Sequence, residues 1–301
     1  VIRPAPPRDV LERLTPPGLV APAAWTRLLH AATSLPPSTG GGIECHLTDP
    51  DRADLAVRYF DGELQAVAEA ATTAQLAGFA RLAAAPGRAG RRIGWLELDV
   101  PAQGAPLVSV FAGPGYPPGG APANLPDVAE WDAILSALWP AAPAAVAAHL
   151  RRLLAALPAG AWMGYLGFMR GRDLRATISG VAAEAVPALL VRIGWPGDPA
   201  RIAPVLDAAR HLRSRLTLGL AVGETIEAPF GIELGLDEHA DRDALLQAAA
   251  TLAPLPAASA AALRAWEGDD GKIVRRLNHL KFGFTGAAVP VLKAYLYYGL
   301  Q

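Results

Sequence analysis

The sequence predicts an α+β fold, a ten-stranded antiparallel β-barrel surrounded by α-helices. Three observations predict it. Pairs of short strand-like runs joined by tight polar or glycine-containing turns recur five times along the 301 residues. Ala/Leu-rich helical stretches separate the pairs. Within the strands, apolar residues alternate with polar residues or glycine, which gives each strand two unlike faces. A parallel βαβ fold would alternate single strands with helices, whereas paired runs read as hairpins. A sheet of ten strands tends to curl or close, and closure removes its edges.

The elements follow in order. Residues 1–40 form an N-terminal arm and helix packed on the barrel, and residues 1–301 form one domain. The first hairpin is Ile43 to Leu47 and Leu55 to Phe60, turning at Thr48-Asp49-Pro50-Asp51, and a helix follows from Glu63 to Ala84. The second is Gly94 to Val100 and Leu107 to Phe111, joined through Pro101-Ala102-Gln103-Gly104. A Pro/Gly-rich loop from Gly113 to Pro126 leads to helices at Asp127 to Leu138 and Pro143 to Leu157. The third hairpin is Trp162 to Met169 and Leu174 to Gly180, turning at Gly171-Arg172-Asp173, before helices at Glu184 to Gly194 and Pro199 to Arg213. The fourth is Leu216 to Val222 and Phe230 to Leu236, with a helix from Arg242 to Leu252. The fifth is His279 to Phe284 and Val291 to Tyr298, joined through Thr285-Gly286. Asp269-Asp270 falls in a loop.

Parity sorts the strand residues by face. Glu44 and His46 oppose Ile43, Cys45 and Leu47, and Arg175, Thr177 and Ser179 oppose Leu174, Ala176 and Ile178. Glu233 shares a face with Gly231 and Gly235, and His279 and Lys281 share one with Gly283. Lys293, Tyr295 and Tyr297 oppose Leu292, Ala294 and Leu296. The apolar faces need partners, and the amphipathic helices supply them, so the polar faces point into the barrel. Buried charges without partners cost several kcal/mol, so about that much favours an interior that is solvated and holds a ligand. A two-layer sheet with one wet face is the alternative. The glycines at 219, 231, 235 and 283 favour a cavity.

Composition sets outer bounds. The chain is 52% hydrophobic with a formal net charge of -1, which gives no electrostatic case for nucleic acid or an anionic membrane. No apolar run reaches the roughly 20 residues of a membrane span. Cys45 is the one cysteine, so neither an internal disulfide nor a thiolate metal site is expected, and Cys45 reads as a small buried residue. The opening residues Val1 to Pro7 show no apolar core of signal-peptide type, and a cytoplasmic protein is expected, as a monomer or weak homodimer. The sequence carries no DDxxD, no GxGxxG after a strand, no P-loop, no GxSxG and no HExxH or paired-His metal spacing.

Five consecutive helix-hairpin units closing a ten-stranded barrel resemble the ABBA, or PT-barrel, prenyltransferases. Within them the chain looks most like the cyanobactin-type peptide prenyltransferases. Three pieces carry the resemblance: Gly42-Ile43-Glu44-Cys45 on the opening strand, Ala56-Val57-Arg58-Tyr59-Phe60 on its partner, and Lys293-Ala294-Tyr295-Leu296-Tyr297-Tyr298 on the last strand. The resemblance implies an acidic residue that orients or deprotonates the acceptor, a diphosphate-binding arginine, and a basic-x-Tyr pair that reaches the diphosphate. The fourth strand, Leu107 to Phe111, departs from the pattern because it lacks the cation the family usually has there.

The implied reaction ionises an allylic diphosphate, dimethylallyl or geranyl, and passes the prenyl cation to a small peptide or aromatic acceptor. Glu44 is the expected base, with His46 as a second candidate. Arg58, Lys281, Lys293 and Tyr295 are expected on the diphosphate, with Arg175 and His279 compensating for the missing cation. Tyr297, Gly219, Ala221 and Glu233 are expected around the prenyl chain, and the small residues of that set suggest a donor of C10 or longer. No protein metal site is expected, and Mg²⁺ would be held mainly by the diphosphate. Each residue also has an ordinary structural reading. For Glu44 it is an ion pair with Arg58 or Lys293 across the barrel. The rival for the whole chain is a non-catalytic barrel that binds a peptide or lipid.

Overall fold

The computed structural model describes residues 2–15, 18–70, 77–84, 93–113, 127–171, 173–212, 214, 216–235, 241–284 and 289–301. Its centre is a closed antiparallel barrel. The strands are β1 (Gly40–His46), β2 (Ala53–Phe60), β3 (Ile93–Asp99), β4 (Leu107–Gly113), β5 (Trp162–Met169), β6 (Asp173–Val181), β7 (Leu216–Val222), β8 (Ile226–Gly235), β9 (Gly268–Asp269), β10 (Ile273–Phe284) and β11 (Val291–Leu300). Each of β1 to β7 pairs with the next, β8 pairs with β10, β10 with β11, and β11 with β1. That circuit uses ten strands. The short β9 lies outside it, pairing only with Val274 and Arg275 at the start of β10.

The helices wrap the outside. They are α1 (Pro7–Arg13), α2 (Pro22–Ala31), α3 (Asp61–Ala70), α4 (Ala77–Ala84), α5 (Val128–Leu138), α6 (Ala144–Ala156), α7 (Val186–Ile193), α8 (Pro199–His211), α9 (Arg242–Leu252) and α10 (Ala257–Trp266). Local chemistry sets several of their ends. Asp127, Asp198 and Asp241 each accept backbone N–H bonds in the first turn of α5, α8 and α9. Gly194 ends α7 in the left-handed region at φ 73°, which a side chain would resist. No described helix is long and apolar enough to cross a membrane.

The core is an annulus between barrel and helices. Outward strand residues such as Ile43, Cys45, Leu55, Val57, Leu218, Ile232, Leu280 and Leu296 are fully buried. They meet buried helix residues including Leu28, Leu150, Leu189, Ile202, Leu246 and Leu263. Each buried aliphatic of this kind contributes about 1.5–3 kcal/mol by leaving water. With the apolar faces used in this way, the polar faces line the barrel interior, as parity predicts.

Some boundaries differ from the sequence reading. The helical stretch from Glu63 to Ala84 contains two helices, α3 and α4, with residues 71–76 outside the described residues. The loop at 114–126, Arg172 of the third turn, Arg213, Leu236 and the Thr285-Gly286 turn also lie outside them. Strand β10 begins at Ile273, six positions before the expected His279, and an irregularity between Leu277 and His279 restores the facing of the later residues. Asp269 belongs to β9, and Asp270 follows it in a turn where its side chain accepts from the Lys272 and Ile273 amides at 2.9 and 2.8 Å.

Candidate active site

The barrel encloses a cavity of about 630 Å³. Its walls are set by strand register. Trp95, Glu97 and Asp99 of β3 face inward beside Ala56 and Arg58 of β2 and Ser109 and Phe111 of β4. Phe111 lies across Gly167, its cross-strand partner on β5, where a Cβ would come within 2.4 Å of the ring. A side chain at Gly167 would therefore displace the aromatic wall. Trp162 and Tyr165 of β5 extend that wall. Burial pushes the Tyr165 hydroxyl up to about 12, against the smaller opposing effect of its hydrogen bond with Trp95.

Near one end of β2 the Arg58 guanidinium donates to the Tyr297 hydroxyl at 2.9 Å and lies 4.5 Å from the centre of the Phe60 ring. Its Nε is buried and has no hydrogen-bond partner among the described residues. A polar hydrogen left this way costs about 1–3 kcal/mol, so the group is poised for an acceptor from a ligand. The glycines Gly40 and Gly299 sit side by side across the β1–β11 seam and leave space around Arg58 and Tyr297.

The middle of the cavity holds a mixed-charge group. Lys281 Nζ lies 3.1 Å from Glu233 and 3.4 Å from the Tyr295 hydroxyl. The His279 ring stacks on Tyr295 at 4.1 Å, with Nε2 3.6 Å from Glu233. Burial holds His279 below the usual histidine range, although Glu233 opposes this. For Glu233 burial works upward, but Lys281, His279 and Arg175 together hold the carboxyl below its ordinary value. Arg175 of β6 lines the cavity two strands from Glu233 and makes no hydrogen bond or ion pair with any described residue. The stem of Arg175 passes over Gly219, and Ala221 is its cross-strand partner.

A third group is buried at the His46 end of β1. Glu44 forms an ion pair with Lys293 and sits 3.5 Å from His46, which in turn contacts Asp54 at 3.2 Å. The Val100 amide donates to Asp54 at 2.8 Å. Burial pushes Asp54 upward, but the bonds from His46 and Val100 outweigh it and hold the carboxyl below the usual range. Glu44, His46 and Asp54 offer ligand atoms within 4.8 Å of one another. The Lys293 ammonium already offsets the Glu44 charge, which disfavours a divalent ion there.

The expected site residues thus divide. Arg175, Glu233, His279, Lys281, Tyr295 and Tyr297 line the cavity. Arg58 adjoins it through Tyr297. Glu44, His46 and Lys293 lie together in the buried group, in the ion pair that was the structural reading of Glu44. Several cavity residues escaped the sequence reading: the aromatic Trp95, Phe111, Trp162 and Tyr165, and the acidic Glu97. Glu97 faces inward between the small side chains of Ala56 and Ser109, and no described residue bonds to it. Burial and the nearby Glu44 raise its carboxyl to about 7, with Arg175 and Lys281 pulling the other way. The alternation Trp95-Leu96-Glu97-Leu98-Asp99 was the signal that could have found it.

This architecture, a closed ten-stranded antiparallel barrel ringed by helices, is that of the PT-barrel prenyltransferases. Solved structures that share it include a 6-dimethylallyl tryptophan synthase, with a TM-score of 0.54, 14% identity and coverage of 85% of this chain and 79% of that one. AnaPT from Neosartorya fischeri gives a TM-score of 0.51 at 11% identity over 85% and 76% of the two chains. NotF, solved in complex with brevianamide F and DMSPP, gives 0.53 at 12% identity over 97% and 92%. At these identities the likeness is one of fold. Neither protein-family models nor curated proteins match the sequence.

Proposed function

We propose that this chain transfers an allylic prenyl group from its diphosphate to a nucleophilic, aromatic-type side chain of a ribosomally made peptide in the cytoplasm. One observation carries the reading. An aromatic-walled cavity is lined by Arg175 and adjoined by Arg58, two guanidiniums that form no ion pair with a described residue. Guanidinium forks bind phosphate oxygens well, and aromatic faces stabilise a carbocation while excluding water. The fold neighbour NotF was solved with DMSPP and brevianamide F, which supports a donor of allylic diphosphate type and an aromatic acceptor.

In this reading Arg58 with Tyr297, and Arg175 with Lys281 and Tyr295, receive the diphosphate. Trp95, Phe111, Trp162 and Tyr165 enclose the prenyl chain. Dimethylallyl and geranyl diphosphate are the donors to compare. Gly219 accommodates the Arg175 stem, so the length of donor admitted depends on where that side chain lies.

A second reading has its own support. Lys281 faces Glu233 and Lys293 faces Glu44, so two of the expected diphosphate cations are already paired. A barrel that binds a peptide or lipid without catalysis would tolerate this. Mass spectrometry after incubation with each donor and a panel of Trp-, Tyr- and Ser-containing peptides separates the two. A prenyl mass increment on a peptide is the expected result. Tight ligand binding with no increment from any donor favours the carrier.

A further inference from the structure

We propose that Glu97 of β3 is the catalytic base that takes the acceptor's proton. The inference rests on the prenyl-transfer reading and assigns one step of it. Glu44 has the residue type for the task but not the access. It is 2% exposed, ion-paired with Lys293, and absent from the cavity wall. Glu97 has the access. Its cross-strand neighbours are Ala56 and Ser109, both too short to cover it, so its carboxyl projects into the cavity beside Trp95 and Phe111. No described side chain holds it.

The charged groups that face Glu97 are Glu44 from β1, Asp99 from its own strand, Arg175 from β6 and Lys281 from β10. Its direct cross-strand partners, Ala56 of β2 and Ser109 of β4, are uncharged, and Arg58 and Asp54 flank Ala56 on the same face of β2. Two of the cations it senses are therefore the ones expected on the diphosphate. Base and leaving group would sit on different walls with the acceptor between them, which is the geometry a transfer needs. In the step, the C1–O bond of the donor breaks and diphosphate leaves with the electron pair. A new bond forms from C1 to the acceptor nucleophile. The proton of that N–H, O–H or aromatic C–H passes to Glu97, which later returns it to water.

The carboxyl is raised to about 7, mainly by burial, so the base is protonated and inactive in acid and ionised above neutrality. Transfer should therefore rise with pH to a plateau, with a midpoint near 7 in kcat/KM. The test compares the intact protein with Glu97→Gln and Glu97→Asp across pH, following both peptide prenylation and the release of diphosphate from donor alone. E97Q should lose on the order of 10²–10⁴-fold in transfer and lose the pH step, while it still ionises the donor, since that needs no base. E97D keeps a carboxylate and should keep the pH step at reduced rate. Its activity also shows that the site tolerates substitution. E97Q that transfers at the wild-type rate with the wild-type pH profile overturns the assignment. A wild-type protein that neither ionises donor nor modifies any peptide overturns the prenyl-transfer reading itself, which is a different outcome.

Discussion

Glu44 and Glu97 both point into the barrel, and they differ in what surrounds them. Glu44 is locked against Lys293 and His46, in a group with almost no access to the cavity. Removing one member of such a pair leaves the other charge in a poor solvent, at about 3 kcal/mol, whereas replacing both can be close to neutral. Glu44→Gln should thus lower unfolding stability by about that amount. Adding Lys293→Met to the same chain should recover most of the loss. Chemical denaturation of the two single variants and the double variant measures this, and an E44Q chain as stable as wild type would show the pair to be inert. The site was partly legible in the sequence. Parity alone put Arg175, Glu233, His279, Lys281, Tyr295 and Tyr297 on inner faces, where the structure has them lining the cavity. Parity could not say which charges pair. Glu44 and Lys293 lie 249 positions apart, and their meeting depends on the β1–β11 register, which places Glu44 opposite Tyr295 and His46 opposite Lys293. Glu97 escaped because the apolar Leu96 and Leu98 dominate the look of its strand.

At the scale of elements, the tight glycine run that opens β1 makes the seam possible. A Cβ at Gly41 would fall 2.5 Å from the Ala56 carbonyl oxygen of β2 and 2.5 Å from the Tyr298 hydroxyl of β11. Neither the ladder nor the buried Tyr298 ring can retreat cheaply. Gly41→Ala should therefore cost about 1–3 kcal/mol, read as a shift in the denaturation midpoint with little change in slope. A neutral effect would mean that β1 stands farther from its neighbours. The hairpins were the most legible elements, because turn residues and alternation are local signals. Helix α10 was not recognised, since six of the ten residues from Ala257 to Trp266 are alanine and its pattern is faint. The start of β10 was hidden by Arg275, Arg276 and Asn278, which read as a polar loop yet lie in the ladder.

For the whole molecule, the closed circuit means that no barrel strand is an edge. Amide exchange should show it. The Ile43 and Leu296 amides, on either side of the β1–β11 seam, are expected to exchange only through global unfolding, as slowly as those in β6 and β7. Faster exchange confined to the seam would indicate a barrel that opens there. The same closure has a kinetic side. The seam joins segments separated by most of the chain, and the entropy of bringing such distant segments together must be met before their contacts can reward it. Until β11 docks, β1 and β10 each present an unsatisfied ladder to any neighbouring chain. A slow final annealing step, sensitive to protein concentration and relieved by cooler expression or by a holdase chaperone, is the cost of a reaction chamber without an open side.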